Sequence, residues 1–206
     1  AASDYVVNFA KERNLRYIQD AMNNVIVFKD ASAGYEDAPV LMLQSHLDMV
    51  AEKNKDSDHD FDHDPIELIT TDGWLHANKA TLGADDGAGV AYMLGVLDEL
   101  EAHPAIECIF TVEEETGLSG AAFLDTSMLK STLCIGLDGS GESETYISSS
   151  GGVRGSITKT LTYEDCVSSS VKIAIRGLLG GHSGGEIDKE RGNANNQAPQ
   201  DHHTNV

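Results

Sequence analysis

Four short acidic motifs constrain this chain more than any other feature: Ser45-His46-Leu47-Asp48, Gly83-Ala84-Asp85-Asp86-Gly87, Glu113-Glu114-Glu115-Thr116-Gly117 and Gly136-Leu137-Asp138. Three of them follow apolar runs that read as buried strands: Val40 to Leu43 before His46, Ile106 to Val112 before the glutamates, and Leu133 to Leu137 before Asp138. Strand ends that carry imidazole and carboxylate side chains meet at one edge of a sheet, which is where open α/β sheets build their sites. One His with several carboxylates and no Cys suits zinc, cobalt or manganese, because neutral imidazole and hard oxygens bind such ions without thiolate.

The intervening segments alternate between strand and helix. Ser3 is placed to cap a helix through Glu12, on which Val6, Val7 and Ala10 form one apolar face. Arg16 to Gln19, Asn24 to Lys29, Val40 to Gln44 and Ile66 to Thr70 read as strands, with an acidic loop before the last. Gly87 to Glu101 reads as a helix, because Val90, Met93, Leu94, Leu97 and Leu100 recur at helical spacing and His103-Pro104 stops it. Ala121 to Leu129 reads as another helix. Beyond Tyr146, Val153 to Thr162 and Ser168 to Ile175 alternate like strands of a separate small sheet, and Gly151-Gly152 is placed as a hinge. The expected organisation is an α/β domain over residues 1–152 and the beginning of a smaller α+β domain over 153–206.

Composition narrows the partners. The chain has 206 residues and 40% apolar content, enough for a substantial core. Lys and Arg total 14 against 34 Asp and Glu, and the net charge of -20 repels phosphate backbones and anionic lipid, so neither nucleic acid nor membrane is an expected partner. The longest apolar stretch, Ala88 to Leu97, falls far short of the ~20 residues that span a bilayer. Cys108 and Cys134 lie in expected core strands and Cys166 stands alone; without CxxC or an even count they make no disulfide framework, and the expected location is the reducing cytoplasm. The chain opens at Ala1 and closes on a polar, patternless tail from Asn193 to Val206, so it is expected to be part of a longer protein.

The motifs divide the chemical work. His46 and Asp48 are two apart on extended chain and point the same way, so Asp48 is placed to orient a metal-bound imidazole. Asp85 sits at a turn before a helix. Glu114 and Glu115 point to opposite faces if extended, which suits one for binding metal and the other for activating a water. Asp138 adds a further hard ligand, and the whole reads as a metal-dependent hydrolase.

In this order, and with Gly180-Gly181-His182-Ser183-Gly184-Gly185 later, the motifs resemble the di-zinc exopeptidases of the carboxypeptidase and aminoacylase clan. The resemblance runs from about Val7 to Asn195, and segments Gln44 to Glu52, His59 to Ile66, Thr81 to Gly89 and Gly180 to Asn195 are most similar to its aminoacyl-histidine dipeptidase (cytosol non-specific dipeptidase) branch. It implies a three-layer α/β/α catalytic domain with a mostly parallel mixed sheet, followed by a lid through which relatives dimerise. It also implies that His46 and Asp138 bind one each of two zinc ions, that Asp85 bridges them, and that Glu115 completes one site. Asp48 would orient His46, the peptide bond after Asp85 would be cis, and His182 would reach a dipeptide substrate from the lid, in dimeric relatives across the subunit interface. Two such ions activate a water and polarise the scissile carbonyl, while Glu114 takes the proton and returns it to the leaving amine. The expected reaction is hydrolysis of dipeptides with a free N-terminus, including Xaa-His. Two departures stand out. The chain stops before the last metal-binding His of such enzymes, which His202 and His203 do not match, and Ser45 stands where Gly is usual, a change expected to be harmless.

Other patterns compete with this reading. Gly181 to Gly185 satisfies G-x-S-x-G, so a serine hydrolase using Ser183 is an alternative, but an Asp and a His would have to follow within the few remaining residues. A non-catalytic metal-binding or dimerising remnant is another. Asp56, Asp58, Asp60, Asp62, Asp64 and Glu67 nearly match a calcium loop, but Phe61 occupies the obligatory Gly position and Pro65 precedes a strand rather than a helix. His59, His63, His76 and His103 share no strand end with the carboxylates and read as surface or satisfied histidines.

Overall fold

In the computed structural model the described residues are 2–139, 141, 143–149, 151, 153, 155–163, 165, 172–179 and 187–194. The chain divides into two compact units, Ala1–Thr145 and Tyr146–Val206.

The first unit begins with α1 (Ala2–Glu12), which buries Val6, Val7 and Ala10. Ser3 lies inside this helix rather than capping it: its buried hydroxyl donates to the carbonyl of Asn23 at 2.7 Å, a tertiary bond that outweighs the capping preference. Strands β1 (Arg16–Gln19) and β2 (Val25–Lys29) follow, then β3 (Leu41–His46). Next come β4 (Leu68–Thr71) and β5 (Trp74–Ala77), an exposed antiparallel hairpin. Its two-residue turn is Asp72-Gly73, both at positive φ (51° and 82°), the pairing that favours a tight hairpin. Helix α2 (Ala84–Glu99) carries non-helical dihedrals at Asp85 and Asp86. Strand β6 (Ile106–Thr111), the short helix α3 (Ser119–Phe123) and β7 (Leu133–Gly136) complete the unit.

The main sheet has the order β1-β2-β6-β3-β7. Strands β1, β2 and β6 pair antiparallel, whereas β3 runs parallel to both β6 and β7. On one face Val25, Val27, Leu43, Ile106, Cys108 and Phe110 pack with Val6 and Val7 of α1 and Met93 and Leu97 of α2. On the other, Ile26, Phe28 and Ile109 pack with Leu124 and Leu129, just beyond α3. Two helices on one face of a mixed sheet and the segment after α3 on the other give the α/β fold expected from the sequence.

Three local expectations are corrected. Strand β7, at one edge of the sheet, is exposed along its length, with Leu133 and Ile135 open to solvent. Cys134 on it is therefore exposed rather than in the core, while Cys108 on the central strand is buried and its thiol is pushed up to about 12 by that burial. The helix expected over Ala121 to Leu129 spans only Ser119–Phe123; the Asp125 carboxylate accepts from the N–H of Ser127 at 2.9 Å, a turn that competes with helix.

The second unit contains a 3₁₀ turn at Ile187–Lys189. Its described residues form no β-strand, including those within the expected strands Val153 to Thr162 and Ser168 to Ile175. Gly152 of the expected hinge, part of the second of those strands, and His182, Ser183, His202 and His203 lie outside the described residues. No helix among the described residues is long and apolar enough to cross a membrane.

Candidate metal centre

The parallel register sets the site. His46 pairs with Thr111 at the ends of β3 and β6, and Gln44 pairs with Gly136 at the end of β7, so three carboxyl-terminal strand ends lie side by side. The backbone continues this alignment: Leu47 N–H donates to Thr111 O at 2.8 Å and Leu137 N–H to Gln44 O at 2.9 Å. His46, the Glu114-Glu115 turn and Asp138 therefore leave the sheet along one edge, with the start of α2 above it.

The His46 side chain is buried and meets Asp85 from that helix start: Nε2 lies 3.0 Å from Oδ1 of Asp85 and 3.8 Å from Oδ1 of Asp138. Its other nitrogen, Nδ1, lies 3.0 Å from the backbone carbonyl of Asp48. A carbonyl only accepts, so Nδ1 carries the proton and the lone pair of a neutral ring would be on Nε2, directed at the carboxylates. Asp48 thus orients His46 through its backbone, while its carboxylate does something else. Oδ1 accepts from the N–H of Glu114 and Oδ2 from the N–H of Glu115, each at 3.1 Å. These glutamates lie in a turn, not on extended chain, with Glu114 O accepting from Gly117 N–H and Leu118 N–H at 3.0 and 3.2 Å. Glu114 is half-buried and Glu115 exposed. Glu114 and Asp138 also line a cavity of about 290 Å³ whose walls include Met42, Ile109, Leu124 and Leu129.

The electrostatics are those of crowded negative charge. Burial and then the charge of Asp85 push the Asp138 carboxyl up to about 6, with Asp86 and Glu114 adding to the effect and His46 opposing it. Burial and then the charges of Asp85 and Glu114 raise Glu115. For His46, burial favours the neutral ring, but the hydrogen bond to Asp85 and the charges of Asp138 and Asp48 outweigh it and its pKa lies above the ordinary value. Carboxylates gathered against their mutual repulsion around an oriented imidazole fit a bound divalent cation. Candidate ligand atoms of His46, Asp85 and Glu115 lie within 4.8 Å of one another, as do those of His46, Asp86 and Asp138. No such group among the described residues omits His46. In the acidic loop, Asp56 pairs with Lys79 and Asp60 with the exposed His63, while His103 is buried against the carbonyl of Pro104.

Two supports were not singled out from sequence. Asp86 is 3% exposed and follows Asp85 across a cis peptide bond, as the resemblance implies. Asn24, 1% exposed, uses its side-chain amide to accept from Val112 N–H at 3.1 Å and to donate to Gly120 O at 2.9 Å and Asp20 Oδ2 at 2.7 Å. It joins the two ends of the segment carrying Glu114 and Glu115. The approach there is so close that a Cβ on Gly120 would sit 2.1 Å from Val112 O. No local signal marks Asn24, since these loop partners are 88 and 96 residues away; the adjacent acidic pair Asp85-Asp86 was visible and could have flagged Asp86.

The chain is similar to several known proteins. Residues 42–193 match the model of peptidase family M20/M25/M40. The chain is 39% identical over 196 residues to the cytosol non-specific dipeptidase of Escherichia coli (strain K12), covering 94% of this chain and 40% of that protein. It superposes with a TM-score of 0.65 and 39% identity on the crystal structure of aminoacylhistidine dipeptidase from Vibrio alginolyticus, over 68% of this chain and 29% of that one. It also superposes on aminopeptidase PepT from Bacillus cereus, with a TM-score of 0.55 and 26% identity over 67% of this chain and 37% of that one. The chain therefore spans well under half the length of these relatives. On the match over residues 42–193, the chain belongs to peptidase family M20/M25/M40.

Proposed function

We propose that this chain carries the greater part of the metal centre of a dipeptidase that hydrolyses dipeptides with a free N-terminus, including Xaa-His. The observation that carries the reading is the convergence of His46, Asp85, Glu115 and Asp138 on one edge of the parallel strands, with His46 Nε2 facing the carboxylates. The names of the Escherichia coli and Vibrio relatives support the substrate class.

His46, Asp85, Glu115 and Asp138 are the residues that would hold two divalent ions, zinc above all, with cobalt or manganese as substitutes. Bound there, the ions would supply a water acidified towards neutral pH and a Lewis acid for the scissile carbonyl. Glu114 belongs to the same turn and lines the cavity it shares with Asp138, which supports its carboxylate as the group that takes a proton from water and returns it to the leaving amine. Asp48 acts on the reaction at one remove: its carbonyl orients His46 and its carboxylate fixes the Glu114-Glu115 turn.

The same reading gives residues 1–152 the catalytic role and makes 153–206 the beginning of a lid. From that lid His182 binds substrate, across the interface of a cytoplasmic homodimer. Its test is metal dependence of the full-length protein. Chelation should abolish dipeptidase activity, and zinc, cobalt or manganese should restore it, while a serine-directed covalent inhibitor should have no effect. Activity indifferent to chelators and lost to the serine reagent would reject the reading in favour of Ser183.

A further inference from the structure

Adjacent residues at the end of β3 grip adjacent residues at the start of α2. His46 meets Asp85 through Nε2, and Ser45, which points to the opposite face of the strand, meets Asp86. We propose that Ser45 is a positioning residue: its hydroxyl anchors Asp86 and thereby fixes where Asp85 presents its carboxylate to His46. The proposal rests on the metal-centre reading above for its functional consequence, though not for its geometry.

The grip is buried and specific. Ser45 is 0% exposed, and its Oγ donates to Asp86 Oδ2 at 2.5 Å while lying 3.2 Å from the Asp86 carbonyl. The same carboxylate accepts from the His46 N–H at 3.3 Å through Oδ2 and from the Gly89 N–H at 3.1 Å through Oδ1. Gly89 makes room for this carboxylate, because a Cβ there would clash with Oδ1. With donors from two elements on its oxygens, Asp86 ties β3 to α2.

Asp85 is the opposite case. Its side chain is 75% exposed, and among the described residues it hydrogen-bonds His46 Nε2. Little but the backbone therefore aims it, and that backbone is anchored one residue later by Asp86. Although Asp86 lies within reach of His46 and Asp138, its engagement by three donors assigns it to support rather than to ligation. Removing a partner that orients a metal ligand typically lowers metal affinity 10–100-fold.

The test compares wild type, Ser45→Ala, Asp86→Asn and the double variant of the full-length protein. Zinc binding is followed by calorimetry, alongside a crystal structure of metal-free Ser45→Ala. Ser45→Ala should bind zinc at least about tenfold more weakly, with the Asp85 carboxylate displaced from His46 Nε2. The double variant should be little worse than Asp86→Asn, since both changes break one contact. Zinc affinity equal to wild type with Asp85 unmoved would overturn the proposal, as would strictly additive losses. If Ser45→Ala does not fold, Asp86→Asn decides: weakened binding at full stoichiometry supports the anchor, whereas loss of one metal equivalent makes Asp86 a ligand and rejects it. If wild type takes up no metal, the metal-centre reading fails, and the position of Asp85 in Ser45→Ala still decides the anchor.

Discussion

Nε2 of His46 and Oδ1 of Asp85 face each other at 3.0 Å although the residues stand 39 positions apart. Because Nδ1 donates to the Asp48 carbonyl, a hydrogen bond from Nε2 to an ionised Asp85 requires the imidazolium, in keeping with the raised pKa of His46. A cation at this position must displace that proton. Zinc affinity of the metal-free protein should therefore rise with pH up to the raised His46 value, by about tenfold per pH unit for one proton displaced. Calorimetry in buffers of differing ionisation enthalpy should detect the released proton, and binding independent of both pH and buffer would contradict this ligand assignment.

The crowded carboxylates give a second, metal-free signature. Asp138 titrates near 3.8 when exposed and at about 6 in the fold, so its ionisation costs the folded state increasingly as pH rises between those values. Asp138→Asn removes that cost. The melting temperature of the metal-free variant should gain on wild type between about pH 4 and pH 6 and hold its advantage above that range. Added zinc should reverse the order, because the variant lacks a proposed ligand.

On the proposed mechanism Glu114 and Glu115 have different roles. Glu114→Gln in the full-length protein should lower kcat by about 10²–10⁴ with zinc content unchanged, as for loss of a general base. Replacing Asp85 should instead release metal. Zinc loss from Glu114→Gln with a fast residual rate would exchange the roles of the two glutamates.

Asn24 supports the glutamate turn from outside the site. Asn24→Ala leaves the N–H of Val112 and the carbonyl of Gly120 without their partner and should cost about 1–3 kcal/mol for each buried group left unsatisfied, read from denaturant unfolding. Gly120→Ala should be destabilising as well, given the close approach of Val112 O. A neutral Asn24→Ala would show that the segment between Val112 and Gly120 holds its shape unaided.

Legibility followed the range of the interactions. The strand ends bearing His46, Glu114 and Asp138 were readable because apolar runs and acidic motifs are contiguous in sequence. The β4–β5 hairpin was equally local, announced by Asp72-Gly73, yet Trp74 to Ala77 was not read as a strand. Position within the sheet was not legible: the run Leu133 to Leu137 is as apolar as that of β6, yet β7 is an edge and β6 the centre. Nor were the roles of Asn24, Ser45 and Asp86, each of which has a partner brought near only by topology. The pairing of Asp48 with the backbone of Glu114 and Glu115, 66 and 67 residues away, is of the same kind.

The parallel register of β3 with β6 and β7 has a kinetic corollary. Neither β6 nor β7 follows β3 directly along the chain, so aligning His46 with the glutamates and Asp138 requires closing loops that enclose the β4–β5 hairpin, α2 and, for β7, α3 as well. Such long-range pairing forms late relative to helices and hairpins. A chain emerging from the ribosome should therefore hold α1, the β1–β2 ribbon and the β4–β5 hairpin before it has any high-affinity centre, which delays tight capture of a scarce ion until the sheet is assembled.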